Sequence, residues 1–422
     1  MIAAGANAAE LERGLVGRRS GIISSLRLVE GIDGDAPLYF AAARIAQTHR
    51  TPGFDGQDCA GCGKTVDQAK IAALAEGVER YCAGSYRLES LERQAQRDLQ
   101  GDSINPMDFA QFSAAQRRRG FALATIGRHL PIRWIRGQWL GDGRPVWVPA
   151  SACFLPWAGG DEPPVAPGTS TGLAAGESFA AAVDRAIGEI VERDAISLTW
   201  LKGVTPPRVS PALVKEVAGD LLPPADQVDV FDMTSDLGLP VFVAICRGPG
   251  PWGLLVSAGS ACDRDPALAL RRAATEASLT RVYVRQLVAQ DPTWKLEGRF
   301  VNVDTFSRHA RLYSQRPQLT AEAMAFLHGG PLVDRLPESG PGPEDSLRRA
   351  GMHAAVLDLT QPWSAGLGIH VARVLAPALF PLHATHTLPF LGHCRLADAG
   401  RALPRGRIRH GYNLWPYPHP FP

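Results

Sequence analysis

Two stretches, "IAALAEGVERYC" (Ile71–Cys82) and "RAIGEIVERDAISLTW" (Arg185–Trp200), carry the same Glu-x-x-Glu-Arg pattern inside otherwise apolar runs. Positions i, i+3 and i+4 share one face of an α-helix, so Glu76, Glu79 and Arg80 line up on one helix and Glu189, Glu192 and Arg193 on another. On an exposed helix such a triplet is an ordinary solvated ion-pair cluster. Here the flanking residues predict largely buried helices, where carboxylates without partners are costly. A third apolar helical stretch adds Arg272 and Glu276 at i, i+4 spacing.

These acids and arginines need a common compensating partner. Carboxylates suit hard cations such as Mg²⁺, and guanidinium forks suit phosphate oxygens. The pattern therefore points to a magnesium-nucleotide site built from helix faces. "GCGKT" (Gly61–Thr65) is not a phosphate-cradling loop, because Asp58 stands where the required first glycine would be.

Outward from these segments, "PLYFAAARIAQ" (Pro37–Gln47) reads as a strand, followed by the glycine-punctuated stretch Thr51–Thr65. The first helix is expected over residues 66–84 with Gly84 as its C-cap, and the second begins after Ser178 as N-cap. "QVDVFDMTSDLGLPVFVAICRG" reads as two strands with a short connection, and the run from Gly253 as a strand, a turn and the third helix. "RPVWVPAS", "AAVLDLT" and "HVARVLAP" add further strands, and "LPESGPGPEDS" (Leu336–Ser346) reads as a surface loop or disordered segment. Strands and helices mix without clean alternation, so the expected class is mixed α/β (α+β) in one large domain.

Of the 422 residues 45% are hydrophobic and 20% charged, and the net charge of +2 argues against a nucleic-acid surface. Only five cations are lysines, which codon bias explains without phosphate recognition. Seven scattered cysteines do not form a disulfide framework, and no apolar run approaches a signal peptide or a membrane span. A reduced, cytoplasmic protein is expected. "CAGC" (Cys59, Cys62) has metal spacing but no second pair, so chance or packing explains it best. "HATHTLPFLGH" (His383–His393) clusters histidines without adjacent carboxylates, which favours a structural or substrate-lining role over a metal.

"GCGKTVDQAKIAALAEGVERY", "STGLAAGESFAAAVDRAIGEIVERDA" and "GSACDRDPALALRRAATEASLTR" resemble the three signatures of the YcaO proteins, and the likeness runs from about residue 20 to residue 422. The resemblance implies a helix-borne site for ATP and Mg²⁺. It makes Glu76, Glu79, Glu189 and Glu192 the magnesium ligands and puts Arg80, Arg193, Arg272 and Glu276 around the nucleotide. Four positions depart from the family pattern: Cys62 replaces a usual Lys, Ala72 a common Ser, Glu177 a frequent Asn and Ala181 a frequent Glu.

The sequence given ends "GYNLWPYPHPFP" (Gly411–Pro422), an alternating-proline rod carrying aromatic residues that a frayed tail would not need. Members with this motif resemble azoline-forming cyclodehydratases, which turn Cys, Ser or Thr of ribosomal peptides into thiazoline or oxazoline rings. The resemblance thus assigns Pro418, Pro420 and Pro422 to the catalytic end, with the Pro422 carboxylate as a general base; a plug that only stabilises the fold is the competing reading. The expected division is an N-terminal segment (1–55) with a partner-contact role, an ATP-binding core (56–410) and a C-terminal arm (411–422). Expected partners are a leader-peptide-binding protein of the ubiquitin-activating (ThiF-like) type acting in trans, the precursor peptide, a flavin dehydrogenase acting later, and a second copy in a homodimer. Competing readings are a degenerate YcaO scaffold that binds peptide without catalysis and a thioamide- or amidine-forming member.

Overall fold

The computed structural model describes residues 7–46, 58–109, 111–119, 127–166, 168–408 and 414–422. Three strand-then-helix units organise it. Strand Asp58–Gly63 leads into helix Val66–Gly84, strand Leu173–Gly176 into helix Phe179–Lys202, and strand Gly253–Cys262 into helix Pro266–Gln290. Each helix is nucleated the same way. The side chains of Thr65, Ser178 and Asp265 accept a backbone N–H of the first turn, satisfying donors that the helix itself cannot.

The strands lie in three main sheets. Ile23–Val29, Tyr39–Ile45 and Asp58–Gly63 form an antiparallel meander under the first helix. Leu173–Gly176 is the edge of a six-stranded antiparallel sheet, next to His370–Leu375 and then Ala355–Asp358. Gly253–Cys262 is the edge of a five-stranded sheet, next to Val241–Gly250 and Gln227–Asp232. A two-stranded ribbon pairs Val204–Thr205 with Arg407–Ile408. The fold is mixed α/β, as expected.

Helix Phe179–Lys202 packs against Leu173–Gly176, His370–Leu375 and Gly253–Cys262, so it lies between two sheets. That explains why it is apolar on nearly every side, with residues from Ala182 to Leu201 buried around its circumference. It stops at Gly203, whose left-handed backbone (φ 57°, ψ 38°) suits the αL cap. Helix Pro266–Gln290 sits so close to its strand that a Cβ on Gly259 would lie 2.1 Å from the backbone nitrogen of Ala277. Glycine is required there by close approach.

Two expectations change, and the packing reading of the Cys59–Cys62 pair holds. Gly84 is the last helical residue, not the cap; Ser85 follows it and donates its hydroxyl to the Tyr81 carbonyl at 2.7 Å, so no left-handed glycine is needed. Within Leu336–Ser346, residues 336–342 are the expected loop, tied down by Gly340 N–H donating to the Arg264 carbonyl at 2.8 Å, but Pro343 starts a short helix whose buried Ser346 hydroxyl donates to Leu237 O. Its proline is an N1 residue, which resembles a loop signal in composition alone. Cys59 and Cys62 sit on a strand, where i and i+3 point to opposite faces, and they join different core clusters. All cysteines of the described residues are free. Part of the expected strand over 37–47 and of the stretch 51–65 lies outside the described residues, as do 409–413 of the arm; Tyr39–Ile45 and Asp58–Gly63 are strands.

The proline arm is built into the core. Trp415 donates its amide to Leu201 O at 2.7 Å and its indole N–H to Ala323 O at 2.9 Å. Trp200 donates to Tyr417 O at 2.7 Å and Tyr313 donates to Pro418 O. His419 stacks on His309 with ring centroids 3.9 Å apart, and Phe421 is fully buried. Burial lowers the pKa of His309 and His386 to about 4 and holds His383 and His419 well below the ordinary range, so the histidine cluster is neutral and structural. Phe421→Ala should destabilise the fold by about 3–5 kcal/mol, read as a lower urea midpoint in chemical denaturation. An unchanged midpoint would mean that the arm is not part of the core.

Candidate functional site

The three helices bring five carboxylates together, and backbone amides of neighbouring strands and loops hold four of them. Ala60 N–H donates to Glu76 at 2.9 Å and Ala175 N–H to Glu79 at 3.2 Å. Gly172 N–H donates to Glu189 at 3.0 Å and Ser260 N–H to Glu276 at 3.0 Å. Glu192 instead accepts the Ser260 hydroxyl at 2.6 Å, so Ser260 ties the second helix to the third. Two arginines sit among these acids. Arg80 is 3.4 Å from Glu76 and 3.7 Å from Glu79; Arg193 is 3.6 Å from Glu192 and 4.0 Å from Glu189.

Electrostatically the cradle is short of positive charge. Burial is the largest influence on Glu79, Glu189 and Glu276, and like-charged neighbours add to it. Glu79 and Glu276 are pushed up to about 8 and Glu189 is raised in the same direction. Burial works against the guanidinium of Arg80 and Arg193, but the flanking glutamates more than offset it and keep both firmly charged. The buried Nε atoms of both arginines lack a hydrogen-bond partner.

Arg272 and Glu276, one turn apart on the third helix, face different surroundings. Glu276 joins the cradle, whereas Arg272 pairs with Asp263 and lines an adjoining cleft of about 530 Å³. The cleft is also lined by Ala181, Arg185, Gly188, Cys262 and Arg264, one to two turns before the cradle glutamates on the second helix and around the turn into the third. Arg185 donates to Ala175 O at 2.8 Å and pairs with Glu177 at 2.7 Å. Two of the four departures therefore gather at the cleft: Ala181 lines it and Glu177 engages an arginine on its wall. Cys62 faces the apolar core, and Ala72 is half-buried on the first helix.

Of the residues read from sequence, the structure gathers Glu76, Glu79, Arg80, Glu189, Glu192, Arg193 and Glu276, and sets Arg272 beside them. Pro418, Pro420 and Pro422 belong to the arm packed on Trp200, about 12 Å along the second helix from Glu192. Sequence reasoning missed Ser260, Arg185, Arg264 and Arg373. Arg185 carried a signal, since it lies one turn before Glu189 on the same helix; Arg373, alone on a strand, carried none.

Among the described residues no three His, Cys, Asp or Glu side chains already form a metal cage. The donor set still fits Mg²⁺: five hard carboxylates face two arginines, and burial, reinforced by the neighbouring glutamates, raises three of the acids. Mg²⁺ usually takes one or two carboxylates and completes its shell with water and phosphate oxygens, which suits an open cradle beside a cleft.

Comparison with known proteins places this arrangement. The family model for YcaO cyclodehydratases, described as ATP- and Mg²⁺-binding, matches residues 60–380, and the chain belongs to this family. ATP and Mg²⁺ are accordingly its cofactors. Among curated relatives, an uncharacterized protein of the tfuA 3′ region of Rhizobium leguminosarum bv. trifolii is 34% identical over 169 residues, covering 36% of this chain and 39% of that protein. The uncharacterized Mycobacterium tuberculosis protein Rv1375 is 28% identical, covering 76% of this chain and 75% of its own. Among solved structures, a heterocyclase in complex with substrate and cofactor superposes with a TM-score of 0.75 at 21% identity, covering 99% of this chain and 57% of that one. YcaO from Methanopyrus kandleri, bound with AMPPCP and Mg²⁺, gives a TM-score of 0.60 at 20% identity, covering 95% and 92%. The E. coli microcin synthetase McbBCD complex gives a TM-score of 0.64 at 13% identity, covering 87% and 91%. The chain thus spans well under two thirds of the Rhizobium relative and of the substrate-bound heterocyclase. Among the described residues no helix is long and apolar enough to cross a membrane.

The raised carboxylates predict a pH signature. An acid lifted from 4.5 to about 8 by folding holds a proton that the unfolded chain has released. Its contribution is fully present below 4.5 and is lost as pH rises through about 8. Without ligand, the melting temperature should fall between about pH 4.5 and 8 and level off above. Mg²⁺ with a non-hydrolysable ATP analogue should displace the protons and stabilise more strongly at the alkaline end. Scanning fluorimetry across that window checks both trends, and a ligand effect independent of pH would contradict them.

Proposed function

We propose that the chain is the ATP-dependent cyclodehydratase subunit that forms thiazoline or oxazoline rings in a ribosomally made precursor peptide. The observation that carries this reading is the convergence of Glu76, Glu79, Glu189, Glu192 and Glu276 with Arg80 and Arg193 beside the Arg272-lined cleft. Family membership supports ATP use, and the Pro418–Pro420–Pro422 arm supports the azoline outcome over thioamide or amidine formation. The Cys, Ser or Thr side chain adds to the preceding amide carbon, forming a C–S or C–O bond and leaving the former carbonyl oxygen as a hydroxyl. That oxygen takes the γ-phosphoryl group of ATP and departs as phosphate. The amide nitrogen loses its proton as C=N forms, so one peptide and one ATP give one azoline, ADP and phosphate.

On this reading Glu76, Glu79, Glu189 and Glu192 hold Mg²⁺, which neutralises phosphate charge during transfer. Arg80 and Arg193 orient the cradle acids and face the phosphates, and Arg272 holds the nucleotide in the cleft. Rigid placement of these charges before the reaction is the main catalytic contribution available to such a site. The arm brings its Pro422 end to the reacting peptide and supplies a base for the proton lost during ring closure. A leader-binding partner of the ubiquitin-activating (ThiF-like) type delivers the peptide in trans, a flavin dehydrogenase follows where an azole is made, and the working unit is a homodimer in the cytoplasm.

Glu192→Gln should abolish Mg²⁺-nucleotide binding in calorimetry; wild-type affinity in this variant would remove Glu192 from the site. A one-residue extension after Pro422 should suppress cyclisation, read by mass spectrometry as loss of one water per ring, while nucleotide binding persists. Full cyclisation by the extended protein, incubated with partner and precursor, would exclude the arm's terminus from catalysis.

A further inference from the structure

A second hollow, of about 150 Å³, lies on the far side of the loop that carries Gly172. Thr169 and Thr171 of that loop line the hollow, while Gly172 N–H holds Glu189 of the cradle. Its remaining walls are mostly apolar, with Phe154, Phe112, Phe380 and Leu388 among them. Among its buried polar side chains, Arg373 and His383 carry atoms without a hydrogen-bond partner. Arg373, 5% exposed, donates through Nη2 to Ala152 O and Thr169 O at 3.0 and 2.9 Å, but its Nε and Nη1 have no hydrogen-bond partner. His383, 4% exposed, leaves Nδ1 without a partner, while its carbonyl meets Nε2 of His419 on the proline arm at 3.0 Å.

Buried polar atoms without partners are rare in folded proteins and cost stability, so two residues with such atoms on one hollow point to a ligand that completes them. An apolar cavity of about this size accepts a benzene-sized group. The wanted occupant thus combines a phenyl- or leucine-sized apolar body with a carbonyl oxygen for the guanidinium. The hollow also spans from the cradle loop to the residue that braces the arm, placing an occupant next to both.

We propose that this hollow is a subsite for one large apolar side chain of the peptide substrate, with Arg373 donating to a neighbouring backbone carbonyl. The assignment rests on the reading that the substrate is a peptide. Arg373 acts here as a specificity and positioning residue and not as part of the phosphoryl-transfer machinery.

The test uses small probes on the full chain, so it does not depend on knowing the precursor. N-acetyl-L-phenylalaninamide, followed by calorimetry and located by crystal soaking, should place its ring in the hollow and a carbonyl on Arg373. N-acetylglycinamide should not bind there. Arg373→Met should weaken the phenylalanine probe about ten-fold or more. Ala166→Phe, which fills the hollow from a half-buried wall position, should exclude the probe and keep Mg²⁺-nucleotide binding. An empty hollow, equal binding of the glycine probe, or affinity indifferent to both variants would overturn the proposal. Binding of benzoate without binding of the amide would overturn it too, since it would mark a carboxylate ligand instead of a peptide. The cyclisation assay answers separately. A probe seated in the hollow of a chain that cyclises no peptide would support the subsite while removing the reaction proposed above.

Discussion

The structure depends on seating five carboxylates at one helix junction, Glu192 buried and the other four partly buried. A buried carboxylate is tolerated only with hydrogen bonds and compensating charge. Here the hydrogen bonds come from backbone amides at Ala60, Ala175, Gly172 and Ser260, none of them on the helix whose glutamate it serves. The charged face of each long helix is thereby fixed against a specific strand or loop. This constraint accounts for the close helix–sheet approach that leaves no room for a Cβ at Gly259. It also accounts for the burial of the second helix on nearly all sides, since that helix must meet partners from both flanking sheets.

The same arrangement separates two tasks that a phosphate-binding loop would combine. The cradle collects negative charge and leaves two arginines with buried nitrogens lacking hydrogen bonds. The cleft gathers Arg272, Arg185 and Arg264 on more open ground. The cleft guanidinium groups are held by Asp263, Glu177 and the Gly340 carbonyl at its rim, whereas those in the cradle sit beside glutamates of their own helix. Raised carboxylate pKa values are the expected companion of a site that is complete only with a cation. They make the unliganded fold less stable than its packing alone would allow.

Much of this was legible because the second helix repeats the motif of the first, and repetition in apolar surroundings is hard to explain as surface chemistry. The caps at Thr65, Ser178 and Asp265 gave the helices sharp starts, and Ser178 was readable in advance. The remainder depended on pairings that one sequence does not display. Glu276 and Arg272 are one turn apart, yet the first belongs to the cradle and the second to the cleft. That division is set by Ser260 and Asp263 from the preceding strand and turn. Arg373 stands on a strand with no charged neighbour in sequence, so its relation to the cradle arises only through pairing of His370–Leu375 with Leu173–Gly176. The Pro/Gly-rich stretch from Leu336 looked unstructured because its composition is that of a loop, while its order comes from contacts with Arg264 and Leu237.

For the proline arm, a role as a plug and the proposed role in catalysis need not be competing descriptions. Prolines cannot donate backbone hydrogen bonds, so the segment is anchored through carbonyls at Tyr417, Pro418 and His419 that accept from Trp200, Tyr313 and His309. An arm held by its acceptors while its φ angles are fixed by proline rings loses little further freedom when its tip is positioned. The burial that makes the arm part of the core is also what would give its end a fixed location. Its anchor on Trp200 lies on the helix that carries Glu189 and Glu192. Cradle and arm are therefore referenced to one rigid element, and a shift of that helix would displace both together.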